Sequence, residues 1–130
     1  MDERLTDGRR IAELLASEIE GHGDELASLA LFDADPDAEA TPDGTLAYRV
    51  TSVTEGERTD LAAVFVHPDR VRVEFAVAQA AVADAAESAG LRVRPKAVRP
   101  PKTLVFVEDG AEVKRTLPVF EAAARESQSD

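Results

Sequence analysis

The sequence predicts an α+β fold in which an antiparallel sheet carries helices mainly on one face. Consecutive stretches alternate between apolar and polar residues and are separated by turn residues, as the strands of a meander are. Helical stretches lie between groups of strands, with no repeated strand-helix-strand unit. The predicted order is α-β-β-β-α-β-β-α, within a single domain over residues 1–126 that is followed by a disordered tail over 127–130.

The first helix is predicted over residues 7–20. Either Thr6 or Asp7 can cap its N-terminus, and Gly21 is expected to end it. Apolar residues recur on one face at helical spacing: Ile11, Leu14, Leu15 and Ile19. A short strand within 26–32 is compatible with the apolar run that follows.

Three strands of the meander come after a loop over residues 33–44. They are predicted at 46–51, 61–66 and 70–75, with turns at Glu55-Gly56 and at His67-Pro68-Asp69-Arg70. The middle strand is apolar on both faces, so it is expected to be central and covered on both sides. Helices on one side alone would leave its other face for a second copy of the chain, which favours a homodimer.

A second helix is predicted over residues 78–89, because this alanine-rich stretch ends at Gly90, the usual residue of a left-handed helix cap. Strands at 91–96 and 103–107 follow. Pro95, Pro100 and Pro101 favour an edge strand or a connector here, because proline cannot donate a hydrogen bond to a neighbouring strand.

The C-terminal part is expected to contain a hairpin and a last helix. Asp109-Gly110 is a strong hairpin signal, and residues 113–117 alternate between apolar and polar side chains after it. Pro118 is expected to open the last helix.

The composition indicates a salt-adapted, cytoplasmic protein. The 26 acidic residues exceed the 15 basic ones, for a net charge of −11, and cysteine is absent. The missing cysteines exclude disulfides and thiolate metal sites and suit a reducing compartment. No apolar run approaches the roughly 18 residues that a membrane span needs, so no membrane association is expected.

Three stretches carry a resemblance to a known family. They are residues 2–15 (DERLTDGRRIAELL), 33–39 (DADPDAE) and 99–110 (RPPKTLVFVEDG). These stretches resemble a family of small haloarchaeal proteins of unknown function, over essentially the whole chain. The resemblance implies a salt-adapted protein and assigns no catalytic or binding residue.

The sequence predicts no catalytic residue, no cofactor and no metal site. His22 and His67 lack a second ligand at helical spacing, so each is expected to be solvated or to stabilise a turn. The acidic loop 33–44 has Ala38 and Gly44 where a calcium loop needs glycine and glutamate, so it is expected to be solvated. No serine lies in a nucleophile elbow.

Positive charge is concentrated in one part of the chain. Between Leu91 and Val107 there is no acidic residue and five basic ones. If these stretches are strands, alternation places several cations on one sheet face, opposite the helices. The candidate residues for binding an anion or a partner are Arg92, Arg94, Lys96, Arg99, Lys102, Arg70 and Arg72, and Arg49 and Lys114 also lie at alternate strand positions.

Several functions are compatible with this basic face. The favoured one is a non-enzymatic binding or assembly module that docks an acidic protein or an anionic ligand. The first alternative is an enzyme acting on an anionic substrate, with Arg72 and Arg94 as clamps and Glu74 as the base. Nucleic acid is disfavoured by the overall acidity and by the lack of exposed aromatic residues among the cations. The cations could also simply pair with the protein's own carboxylates, such as Glu74, Glu108 and Glu112.

We expect the stability to increase with salt. Repulsion among the excess carboxylates opposes folding, and molar salt screens it because the Debye length falls to about 3 Å at 1 M. The midpoint of thermal unfolding should therefore rise between dilute buffer and molar KCl. A midpoint that stays constant over this range would contradict salt adaptation.

Overall fold

The computed structural model describes residues 6–22 and 26–127 and shows a six-stranded antiparallel sheet with four helices. The strands lie in the order β1-β2-β3-β4-β6-β5. The elements along the chain are α1 (Gly8–His22), β1 (Leu29–Phe32), β2 (Thr45–Thr54), β3 (Glu57–Val66), β4 (Val71–Phe75), α2 (Gln79–Ser88), β5 (Arg92–Lys96), β6 (Lys102–Val107), α3 (Gly110–Arg115) and α4 (Leu117–Ser127). The predicted α+β class is confirmed, and β1 is the short strand within residues 26–32.

One face of the sheet packs against the helices. Val64, Val73 and Val105 lie directly opposite one another on β3, β4 and β6, and all three are fully buried. Phe75, two residues beyond Val73 and therefore on the same face, contacts Phe120 of α4 with ring centroids 5.0 Å apart. The alternation of β4 thus turns its apolar residues towards the helices.

Helix α1 lies on this same face, where a buried hydrogen bond holds it. The Tyr48 hydroxyl of β2 donates to the Ala12 carbonyl at 2.8 Å. Burial, and to a lesser extent the negative charge of Glu20, raises the pKa of Tyr48, so the hydroxyl stays protonated.

Local turn and cap signals in the sequence correspond to the observed structure. Glu55 and Gly56 have φ values of 52° and 82°, which form the tight turn between β2 and β3. Gly90 has a φ of 77°, and the Leu91 N–H donates to the Ala86 carbonyl at 3.0 Å, the bond that closes a left-handed helix cap. Pro95 lies in β5, at one edge of the sheet as expected.

The hairpin predicted at Asp109-Gly110 is wrong, because these residues begin helix α3. The Asp109 side chain caps this helix by accepting from the Glu112 N–H at 3.0 Å. In return, Glu112 accepts from the Glu108 N–H at 2.7 Å. This reciprocal arrangement satisfies backbone donors at the helix start and favours helix over hairpin. Residues 113–117 consequently belong to the end of α3, its C-cap Thr116 and the start of α4, and contribute no strand.

Two helix ends differ slightly from prediction. Helix α1 continues through Gly21 to His22, and α4 extends to Ser127, one residue into the predicted tail. The rest of that tail, residues 128–130, lies outside the described residues. Within 6–22 and 26–127, no helix is both long and apolar enough to cross a membrane.

The start of α1 packs closely against the turn between β3 and β4. The Gly8 N–H donates to the Pro68 carbonyl at 3.2 Å, and a Cβ at Gly8 would lie 1.8 Å from the His67 carbonyl oxygen. Only glycine allows this approach of two backbones. By contrast, a Cβ added at Gly21 of the same helix would meet nothing within 4 Å.

We therefore expect Gly8→Ala and Gly21→Ala to change stability in opposite directions. Gly8→Ala should lower the free energy of unfolding by about 1–3 kcal/mol, the usual effect of overpacking. Gly21→Ala should raise it by up to about 1 kcal/mol, because alanine favours helix over glycine. Urea denaturation of both variants measures the difference, and equal effects would contradict the observed packing of α1.

Candidate functional site

The sheet face opposite the helices carries a row of alternating aromatic and cationic residues. Phe65, Arg72, Phe106 and Arg92 lie directly opposite one another on β3, β4, β6 and β5. In the same manner, a second row runs across these strands: Ala63, Glu74, Leu104 and Arg94. We call the surface formed by these two rows, with Lys96, Lys102 and Arg49, the open face.

Glu74 is the centre of the open face. It is only 4 % exposed, yet its carboxylate contacts three cations from three strands. Arg72 Nε donates to Oε2 at 2.9 Å, Lys96 Nζ lies 3.4 Å from Oε2, and Lys102 Nζ lies 3.8 Å from Oε1. One negative charge thus gathers three positive ones, and this cluster keeps an excess of positive charge.

Arginines on this side of the sheet also lie over aromatic rings, an arrangement that attracts a cation to the ring face. The guanidinium carbons lie over the ring centroids in three pairs: Arg72 over Phe65 at 4.5 Å, Arg92 over Phe106 at 5.1 Å and Arg58 over Phe32 at 3.8 Å. Phenylalanines interleave with these cations, which differs from the expectation that exposed aromatic residues are lacking among them. The sequence contains the pattern that would have indicated this, because Phe65 and Phe106 occupy the strand positions that alternate with the buried valines.

His67 holds Arg72 in position through a hydrogen bond. The ring is 3 % exposed, and its Nε2 accepts a hydrogen bond from Arg72 Nη1 at 2.9 Å. Nδ1 must then carry the proton that is donated to the Pro42 carbonyl at 3.0 Å. Burial lowers the pKa of His67, as do the nearby charges of Arg70 and Arg72, which favours this neutral form.

These contacts give His67 a structural role. Its only basic nitrogen is occupied by Arg72, so no lone pair is free to accept a proton from a substrate. Arg72 Nη1 additionally donates to the Asp43 carbonyl at 3.1 Å, which holds the loop before β2 against the open face. The expectation that His67 stabilises a turn agrees with this geometry.

The other predicted site residues fall into two groups. Some pair with carboxylates, as in Arg92 with Glu108 at 2.7 Å and Arg70 with Asp69 at 2.8 Å, so part of the positive charge is neutralised within the chain. Arg94 and Arg99 are exposed and have no acidic partner among residues 6–22 and 26–127. Self-pairing therefore accounts for some of the predicted cations and leaves these two arginines.

Two further cations differ in placement. Arg49 lies on the open face, where its Nε is 3.3 Å from the Asp33 carboxylate. Lys114 does not belong to this face: it lies on α3, with its Nζ 3.9 Å from Glu18 of α1. Its expected strand position depended on the hairpin at Asp109-Gly110, which the capped helix replaces.

The chain itself covers both faces of β3. On the open face, Ala63 is 8 % exposed and Phe65 is half-buried beneath Arg72. The long side chain of arginine can cover apolar surface while its charged end stays in water. This strand consequently does not require a second copy of the chain, and the homodimer stays a prediction.

Comparison with known proteins identifies a family without an assigned activity. The model of DUF7993, described as a family of unknown function, matches residues 1–130. No curated protein and no solved structure matches the chain.

We expect Glu74→Gln to destabilise the protein far more than Glu108→Gln. The first change leaves three cations without their shared carboxylate, among them the mostly buried Arg72, and should lower the free energy of unfolding by about 2 kcal/mol. The second removes a half-exposed pair with Arg92, typically less than about 1 kcal/mol. Urea denaturation of both variants tests the contrast, and similar losses would show that Glu74 does not organise the open face.

Proposed function

The chain belongs to DUF7993, and on the geometry of the open face we propose that it is a non-enzymatic binding module that docks an acidic protein. The observation that carries this proposal is the Glu74 cluster, in which Arg72, Lys96 and Lys102 converge on one carboxylate. The exposed Arg94 lies directly beside this cluster on β5, opposite Leu104. The surface therefore presents several cations whose charge exceeds that of their own partner.

The distribution of these cations favours a protein over a small anion. They lie on β4, β6 and β5, and adjacent strands are about 4.8 Å apart, so the positive charge extends over roughly 10 Å. A small anion would contact only part of this surface. A protein that presents several carboxylates at comparable spacing would contact all of it, and complementary charge of this kind selects the partner.

A second copy of the chain fits the open face poorly. In a symmetric dimer the same surface meets itself, so the positively charged cluster of one copy would meet the positively charged cluster of the other. Such like-charge contacts oppose association. This argument supports a different protein as the partner at the open face, and a homodimer would then form through another surface.

The geometry supports binding more than catalysis. The enzyme alternative described above uses Glu74 as its base, but both carboxylate oxygens already contact cations and the residue is 4 % exposed. A carboxylate held in this way by Arg72 and Lys96 has little access to a substrate proton.

Nucleic acid is also less favoured, although phenylalanines do interleave with the cations. Each ring has one of the chain's own arginines over it, as with Arg72 over Phe65 and Arg92 over Phe106. A base could stack on these rings only after displacing the arginine.

Affinity capture from the high-salt lysate of the source cells tests this proposal, with captured proteins, nucleic acids and metabolites all identified. Arg94→Glu reverses a charge on the open face, whereas Arg115→Glu makes the same change at an exposed arginine of α3. We expect an acidic protein to be captured by the wild type and by Arg115→Glu, and its recovery to fall at least about tenfold with Arg94→Glu, as for a contact at the centre of an interface.

Two outcomes would overturn the proposal. Recovery of the same protein by Arg94→Glu and by the wild type would place the interface elsewhere. Capture of nucleic acid or of a metabolite that Arg94→Glu abolishes would assign the open face to one of the alternatives.

A further inference from the structure

A cleft of about 400 Å³ lies on the helix side of the sheet, separate from the open face. Its walls are one side of α1, the strands β1 and β2, and the loop between these strands. This volume is within the range of small-molecule sites, roughly 300–1,000 Å³. Tyr48 and Leu31 line it from the sheet, and Ala12 and Ala16 line it from the helix.

Small residues create the space. Ala12 and Ala16 are four positions apart on α1 and therefore share one face of the helix. Ala47 of β2 and Ala38 of the loop also line the cleft. Larger side chains at these positions would close the gap between helix and loop, because protein interiors are otherwise closely packed.

The loop that closes one side of the cleft is held in place. Arg9 Nη2 of α1 donates to the Pro36 carbonyl at 3.2 Å. The Asp35 N–H donates to the Ala47 carbonyl at 2.8 Å, and Ala38 is only 6 % exposed. The acidic residues of this loop are exposed, as expected of a solvated loop, and the loop also forms one wall of the cleft.

Hydrogen-bond acceptors dominate the polar groups of the cleft. The Tyr48 hydroxyl donates its proton to the Ala12 carbonyl, so it can only accept from a ligand. Three carboxylates also line the cleft, at Glu13, Glu20 and Asp35, against the single guanidinium of Arg9.

Glu20 is the carboxylate best placed to bind a ligand. Glu13 pairs with Arg10 at 3.3 Å, and Asp35 accepts from the Asp37 N–H at 3.0 Å. Glu20 has no ion pair or hydrogen bond with any residue in the described part of the chain. It is nevertheless close enough to Tyr48 for its charge to act on the phenol.

We propose that this cleft binds a small organic amine. The apolar body of the ligand packs against Ala12, Ala16 and Leu31, and its ammonium group pairs with Glu20. An ammonium group supplies donors and positive charge, which match a lining of acceptors with excess negative charge. An anion of the same size would meet uncompensated carboxylates.

Titration of the ¹⁵N-labelled full chain, followed by NMR, tests this inference with two probes of similar size and opposite charge. The probes are 2-phenylethylamine and 3-phenylpropionate, used at the lowest KCl concentration at which the protein stays folded, because salt screens the charge effect. We expect the amine to shift the backbone signals of Ala12, Ala16 and Tyr48, and the carboxylate to leave them unchanged.

Three variants locate the site. Ala16→Leu fills the cleft and should abolish the shifts. Glu20→Gln, a change at an exposed side chain that keeps the fold, should weaken amine binding roughly threefold to fivefold, the usual size of a solvent-accessible ion pair. Glu87→Gln makes the same change on α2, outside the cleft, and should have no effect.

The inference is overturned if neither probe shifts these signals, if both probes bind equally well, or if Glu20→Gln binds the amine as tightly as the wild type does. Because the cleft and the open face share no residue, these results are independent of those on the acidic partner.

Discussion

The open face depends on the burial of one carboxylate among three cations. Desolvating Glu74 would cost several kcal/mol if it were unpaired, and Arg72, Lys96 and Lys102 compensate by direct contact. Conversely, without Glu74 the three cations would repel one another. The interaction therefore connects β4, β6 and β5, and Arg72 extends it through His67 to the turn on which α1 packs.

Features that are determined within a few residues could be predicted from the sequence. Glu55, Gly56 and Gly90 have left-handed backbone conformations. The strands around Glu55-Gly56 predict a hairpin turn there, and the helix before Gly90 predicts a helix cap. The alternation of residues 71–75 likewise distinguished the core face from the open face. Such signals established the α+β class and the common side of Arg92, Arg94 and Lys96.

Features that depend on strand order or on competing local signals could not be predicted. Asp109-Gly110 suits both a hairpin and a capped helix, and the choice depends on Glu112, which satisfies the backbone at Glu108. Glu74 and Lys96 are 22 residues apart, and they meet because β6 pairs with both β4 and β5 and the long lysine side chain reaches across β6. The cleft could not be predicted, because alanines such as Ala12 and Ala16 carry no functional group, and the cleft exists only because the loop between β1 and β2 packs beside them.

Charge is divided between the two sides of the sheet, with the buried valines between them. The open face gathers cations around Glu74, whereas on the helix side α2 has two acidic residues and no basic one, and the cleft has three carboxylates to one guanidinium. If the partner is the acidic protein proposed above, this division acts at contact distance, because molar salt screens the field of the net charge of −11 beyond about 3 Å. Carboxylates of that partner would pair directly with the cations of the open face, whereas at α2 they would meet like charges.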